Sequence, residues 1–199
     1  PVSQLARAVD TVLDRSVVIE RFASGDDATR ALDHARGLGR AQSPFVQRAL
    51  AFDRAERSII FEAPSGAPLT EAPLRLGAAD AIRLLKRLAR GAAALHRVPV
   101  AHGAIGERTL VFDDGAVPTL LCAGLGSVAD PTPAGDIAAI VAIVAAIAGT
   151  EATPAGLARA LCAQVGAAVP AYGALADGEA LYELAEALDV AVLGALGAR

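Results

Sequence analysis

Residues 102–124 read HGAIGERTLVFDDGAVPTLLCAG, and the architecture turns on them. Asp113-Asp114-Gly115 is a strong turn signal between two short apolar runs, Thr109–Phe112 and Val117–Leu121. Such a pattern predicts a small hairpin. The polar segment before the hairpin holds His102, Gly103, Ala104 and Thr109, and Cys122 follows it. A thiol placed directly after a buried strand is expected to be inert.

Working outward, the residues before this stretch change their periodicity once. Ala78–Arg97 places Ile82, Leu85, Leu88, Ala92 and Leu95 on one helical face. Arg83, Arg87 and Arg90 line another face, which reads as a solvated stripe or a site for an acidic partner. Upstream of that helix, Pro64-Ser65-Gly66-Ala67-Pro68 is the clearest linker. Before it come a polar turn at Asp14-Arg15 leading into the buried run Val17-Val18-Ile19, and a helix over Ala28–Arg40. Two strands follow, Phe45–Phe52 and Ser58–Glu62, joined by a turn at Asp53-Arg54. Downstream, Asp136 opens an apolar helix, Thr153-Pro154 forms a cap and first turn for another, and Leu175–Gly197 carries a last amphipathic one. The order predicts an α+β chain in two lobes, a β-rich one over residues 1–66 and a helical one over residues 67–199.

Composition bounds what this fold does. A chain of 199 residues with a 54% hydrophobic fraction has enough apolar surface for a real core, which excludes disorder. The formal charge of -4 argues against a nucleic-acid partner, which asks for a basic face. Two cysteines, Cys122 and Cys162, are too few for a disulfide framework, so a reducing compartment is expected. The longest apolar run, residues 137–149, falls short of the roughly 20 residues that span a bilayer. Three scattered histidines give no metal spacing, and Ser65 and Ser127 have no legible His/Asp partners. Lys86 is the sole lysine, and with the alanine bias this fits a GC-rich bacterial genome. With Pro1 first and no methionine, the chain reads as a piece of a longer protein or one whose initiator was removed.

Together these segments resemble a bacterial Ser/Thr protein kinase over most of the length. Val17-Val18-Ile19-Glu20 is similar to the V-A-I-K strand, and Pro44-Phe45-Val46 to the H-P-N-I-V segment after the family's C helix. Ile60-Phe61-Glu62-Ala63-Pro64 resembles the last strand of the small lobe and the hinge, with Phe61 as gatekeeper. Ala94-Leu95-His96-Arg97 resembles the Y-L-H end of the family's E helix. His102 and Thr109 are seven positions apart and Thr109 and Cys122 thirteen, the separations of H-R-D-x-x-x-x-N and D-F-G. Asp136-Ile137-Ala138-Ala139-Ile140 is similar to the D-I-Y-A-L-G start of the F helix.

Against that resemblance the chemistry is missing. Glu20 stands where the phosphate-binding lysine belongs, and a carboxylate there repels phosphate. Ala104 replaces the catalytic base and Gly103 the arginine beside it. Thr109 replaces the Mg²⁺-binding asparagine, and Cys122 the D-F-G aspartate, a soft ligand for a hard ion. Ala123 takes the phenylalanine position. Pro64 occupies the hinge position whose N–H would meet adenine, and proline has none. The glycine-rich loop is absent, and twelve positions between Gly124 and Asp136 leave no room for an activation loop and A-P-E.

The resemblance therefore implies a pseudokinase, a catalytically inactive scaffolding or regulatory module that binds a protein partner. No cofactor and no metal are expected. A nucleotide sensor or a divergent nucleotide-dependent transferase is the alternative. His102 and Asp136 are expected to hold the fold by tying the catalytic loop to the F helix. Glu20 is expected to pair with His34 or Arg30, a reversal of the family's lysine–glutamate pair. Interaction surfaces are expected at the Arg83, Arg87 and Arg90 stripe and in a vacated cleft around Glu20, Phe61 and Cys122. The expected setting is cytoplasmic, with membrane attachment only through a parent chain.

Overall fold

The computed structural model describes residues 2–70, 75–126 and 128–197. Ser127, Pro1 and Arg199, which entered the sequence reading, lie outside the described residues. The fold is α+β, with two small antiparallel sheets and five helices among the described residues. Strands β1 (Ser3–Asp10) and β2 (Arg15–Phe22) form a hairpin, followed by α1 (Asp26–Leu38), β3 (Ala49–Asp53) and β4 (Ser58–Glu62). The sheet order is β1-β2-β4-β3, antiparallel throughout, with Glu20 opposite both Leu5 and Ile59. Buried residues of α1, Ala28, Ala31, Leu32, Ala35 and Leu38, follow the 3.6-residue period onto one face of this sheet.

The second half begins with β5 (Ala67–Pro68), which pairs with β6 (Leu110–Phe112) and through it with β7 (Pro118–Leu120). Gly66 is required at the entry to β5. Its φ is 104°, and a Cβ there would stand 1.9 Å from the Phe112 carbonyl oxygen. Helix α2 (Ala78–Arg97) occupies the predicted span, and packs against α3 (Pro133–Ala148), α4 (Pro154–Val165) and α5 (Gly178–Gly197). Helices α3 and α4 start alike. Thr132 and Thr153 accept hydrogen bonds from Gly135 N–H and Gly156 N–H, with proline next in the chain. Both end on a left-handed glycine, Gly149 or Gly166. Asp136 is thus not the helix opener but sits in the first turn of α3, three residues after Pro133.

One hydrophobic core runs through both halves, from Val18 and Phe61 to Leu120, Ile140 and Leu188. Side chains join α2 to α5 at its edge: Lys86 Nζ lies 2.6 Å from Asp189 Oδ2 and 3.1 Å from Glu186 Oε1. The strand expected over Phe45–Phe52 is shorter. Residues 45–47 leave the first sheet and cross to the second hairpin, while the Arg48 carbonyl still accepts from Glu62 N–H of β4. Leu120 N–H donates to the Phe45 carbonyl at 2.9 Å and Gln47 N–H to the Leu120 carbonyl at 2.8 Å. The segment satisfies its backbone groups on β7 instead of extending β3, and it joins the two sheets.

Candidate functional site

Where the two halves meet, the positions singled out in the sequence fall into two connected clusters. The first is centred on Asp136, which is 1% exposed. Its Oδ2 accepts from the backbone N–H of His102 at 2.7 Å and from His96 Nε2–H at 3.0 Å. Its Oδ1 accepts from Gly103 N–H at 2.8 Å. The tautomers follow from the other ring nitrogens. His96 Nδ1 accepts from Gly178 N–H at the start of α5, so Nε2 carries the hydrogen facing Asp136. His102 Nδ1 accepts from Ala104 N–H and its Nε2–H donates to the Leu121 carbonyl at 2.8 Å. Burial holds His102 below the ordinary imidazole range, in keeping with that neutral form.

Residues 102–109 form a closed loop. Thr109 Oγ1–H donates to the Ala104 carbonyl at 2.7 Å, and Oγ1 accepts from Gly106 N–H at 2.9 Å. The Thr109 hydroxyl is therefore occupied by its own loop. Gly103 has φ of 73°, and a Cβ there would meet Pro131 Cβ and Val128 Cγ1 at 2.5 Å. No larger side chain fits without moving the segment before α3.

The second cluster closes the face between the halves. Three successive backbone N–H groups follow β7. Those of Cys122 and Ala123 both donate to Gln47 Oε1, at 2.9 and 3.0 Å. That of Gly124 donates to Glu20 Oε2 at 3.0 Å. Glu20 Oε1 accepts from the Ser3 hydroxyl at 2.7 Å. Gln47 Nε2–H donates to the Glu62 carbonyl at 2.9 Å, and Ala63 N–H donates to the Ser16 carbonyl. Leu5 of β1 lies over the same loop, since a Cβ on Gly124 would stand 2.7 Å from its Cδ1.

The expected ion pair of Glu20 does not form. His34 Nε2 is bound to the Ala101 carbonyl at 2.8 Å, and Arg30 pairs with Asp27 on its own exposed helix face. Glu20 points inward to Gly124 because a buried carboxylate needs donors, and the loop N–H supplies one. Nor is there an open cleft at Glu20, Phe61 and Cys122. All three are at most 1% exposed. Burial pushes the Cys122 thiol up to about 12, so it carries no thiolate at neutral pH. Nothing in the sequence marks Ser3 for this role. Only the polarity of Gln47 beside Phe45-Val46 hints at a buried role.

The stripe on α2 divides. Arg83 pairs with Asp80 at 2.5 Å, Arg87 donates to the Ala116 carbonyl of the second hairpin, and Arg90 donates to the Tyr182 hydroxyl and stacks over its ring. Two of the three arginines thus link α2 to neighbouring elements. Among the described residues no group of His, Cys, Asp and Glu could hold a metal ion, and no helix is long and apolar enough to cross a membrane.

Burial raises the Glu20 carboxyl above its ordinary range, outweighing the Ser3 and Gly124 hydrogen bonds that lower it. The folded state then binds this proton more tightly than the unfolded chain. Stability contributed here is present below the unfolded carboxylate value and is lost as pH rises through the folded one. Glu20→Gln keeps an acceptor for Gly124 and a donor for Ser3. Urea unfolding from acidic to neutral pH is expected to show the variant gaining on the wild type as pH rises. A constant difference across that window would contradict the assignment.

No protein-family model matches the chain, and no curated protein matches it.

Proposed function

We propose that this chain is a pseudokinase, a protein-kinase-like domain without catalysis that works by binding protein partners. The observation that carries the reading is the use made of the backbone after β7. The N–H groups of residues 122–124, at the place the resemblance gives to D-F-G, are all tied to Gln47 and Glu20. A nucleotide or metal at that place would have to compete with the protein's own side chains for these groups. The order of elements supports the same reading, with two strands, a helix, two further strands and the short β5 ahead of a long helix and a small hairpin. So does the Asp136 cluster, in which the carboxylate accepts from the His102 and Gly103 N–H groups.

The hinge position adds to this. The Glu62 carbonyl and the Ala63 N–H are spent within the protein, and Pro64 has no N–H. Adenine placed there would leave buried polar atoms unpaired, at about 1–3 kcal/mol each. A cytoplasmic setting and a helical lobe over residues 67–199 belong to this reading.

Thermal unfolding with ATP, with and without Mg²⁺, tests it. A ligand at 100 times its Kd stabilises by about 2.7 kcal/mol, several degrees for a chain of this size. No shift is expected in either condition. A rise that needs Mg²⁺ would favour a nucleotide-dependent transferase, and one that does not would favour a nucleotide sensor.

A further inference from the structure

Arg40 and Arg48 stand exposed along residues 39–49, flanked by Arg36, Arg90 and Arg97, which pair with Asp33, Tyr182 and Glu179. Four hollows adjoin there. The largest, of about 740 Å³, is lined by Arg40, Arg48, Gln42, Ser43 and Pro44 among others, with no acidic residue. On one side it shares Gly39, Arg40 and Ala49 with a hollow of about 270 Å³ that reaches Arg36 and Phe52. On the other it shares Gln42, Ser43 and Pro44 with one of about 260 Å³ that reaches Arg90, Arg97 and Tyr182. Five arginines line the groove formed by these three hollows against one carboxylate, Glu179, on a chain whose formal charge is -4; a fourth hollow of about 450 Å³ shares Ser43, Pro44 and Arg48 and brings in Glu62 and Asp113, which form no ion pair with Arg48.

The middle of the groove is the part left uncompensated. Arg40 and Arg48 are exposed, and among the described residues neither guanidinium has a hydrogen bond or an ion pair. At the two ends the guanidinium groups are braced. Arg36 stacks over Phe52 at 4.4 Å and Arg90 over Tyr182 at 4.9 Å.

Resting on the reading of this chain as a protein-binding module, we propose that the groove docks an extended acidic segment of a partner protein, with Arg40 and Arg48 as its central contacts. Charge complementarity selects the occupant, because like-charged chains are repelled and carboxylates are attracted where no counter-charge is supplied. A peptide suits the site better than a nucleic acid. Single strands bind by stacking bases on open aromatic faces, and here a guanidinium already covers a face of both Phe52 and Tyr182. Strand β3 borders the groove and is an edge of its sheet, which favours an occupant in extended conformation.

The test is fluorescence anisotropy with a labelled acidic dodecapeptide of alternating glutamate and valine, at low and physiological salt. Saturable binding that weakens with salt is expected. The double variant Arg40→Glu/Arg48→Glu should lose affinity by roughly tenfold or more, while Arg159→Glu, exposed on α4 and outside the groove, binds like the wild type. Circular dichroism and Tm verify that both variants are folded. Absence of saturable binding, an unchanged Kd in the double variant, or tighter binding of a thymidine dodecanucleotide than of the peptide would each overturn the proposal. A failure here alongside a Tm indifferent to ATP removes this surface and leaves the non-catalytic reading standing.

Discussion

Asp136→Ala is expected to cost about 3–5 kcal/mol, a large part of the roughly 5–15 kcal/mol that holds a domain together. The carboxylate is the acceptor for three donors, the N–H groups of His102 and Gly103 and the Nε2–H of His96. Removing it strands them in a site that water does not reach. Each buried donor left unpaired costs about 1–3 kcal/mol, and because the three share one partner their losses do not simply add. The damage spreads beyond the loop, since His96 also receives Gly178 N–H at the start of α5. Asp136→Asn should recover part of the loss and no more. Its single carbonyl oxygen can serve either Gly103 or the His96–His102 pair, and its amide then meets a donor at the other. Urea denaturation of the three proteins checks the order wild type, Asn, Ala. A loss below about 1 kcal/mol for the alanine variant would mean that this cluster does not hold the fold.

Gln47→Leu should have the next largest effect, about 3 kcal/mol, with little change in volume. It leaves Cys122 N–H, Ala123 N–H and the Glu62 carbonyl without partners. The effect should be local before it is global. Amide exchange at 122 and 123 should accelerate roughly 100-fold, the equivalent of about 2.7 kcal/mol, while amides in the centre of α2 change only with overall stability. If the two amides keep their wild-type protection, Gln47 is not what closes this face. The same variant tests the functional reading from another side. A chain whose loop is released and still ignores ATP lacks more than access to its site.

The parts of the fold visible in the sequence are those fixed by neighbours along the chain. Helix α2 begins and ends where the apolar period starts and stops, at Ala78 and Arg97. Strand β4 matches its expected span, Ser58–Glu62, because the polar residues before it and Pro64 after it bound the run. Thr153-Pro154 and Gly166 mark both ends of α4 by capping chemistry alone. The hairpin at residues 110–120 follows from its Asp-Gly turn. In each case the deciding interactions reach no further than a few residues.

Segment 45–47 shows where that reach ends. Its sequence is a good strand and its local preference is satisfied in either sheet, so propensity has no means of choosing between β3 and β7. The choice is made by Leu120, more than seventy positions away. Glu20 is similar. Its sequence neighbours include no acceptor or donor that identifies its partner, and a search for opposite charge leads to His34 and Arg30. The donors it finds are uncharged, a backbone N–H at Gly124 and a hydroxyl at Ser3. Charge patterns point to ion pairs, whereas burial selects whatever donor the packed core brings within reach.

From its residues alone this chain is an α+β protein in which Glu20, Ala104, Thr109 and Cys122 stand where the resemblance would place a lysine, a base, an asparagine and an aspartate. Those identities are properties of side-chain types and do not depend on how the chain is arranged. Only the folded structure decides that Glu20 and Cys122 are closed from solvent, and that Arg40, Arg48 and Arg90, from separate segments, line adjoining hollows. Both outcomes depend on contacts between segments far apart in the chain, where packing and the pairing of buried polar groups outweigh every local preference.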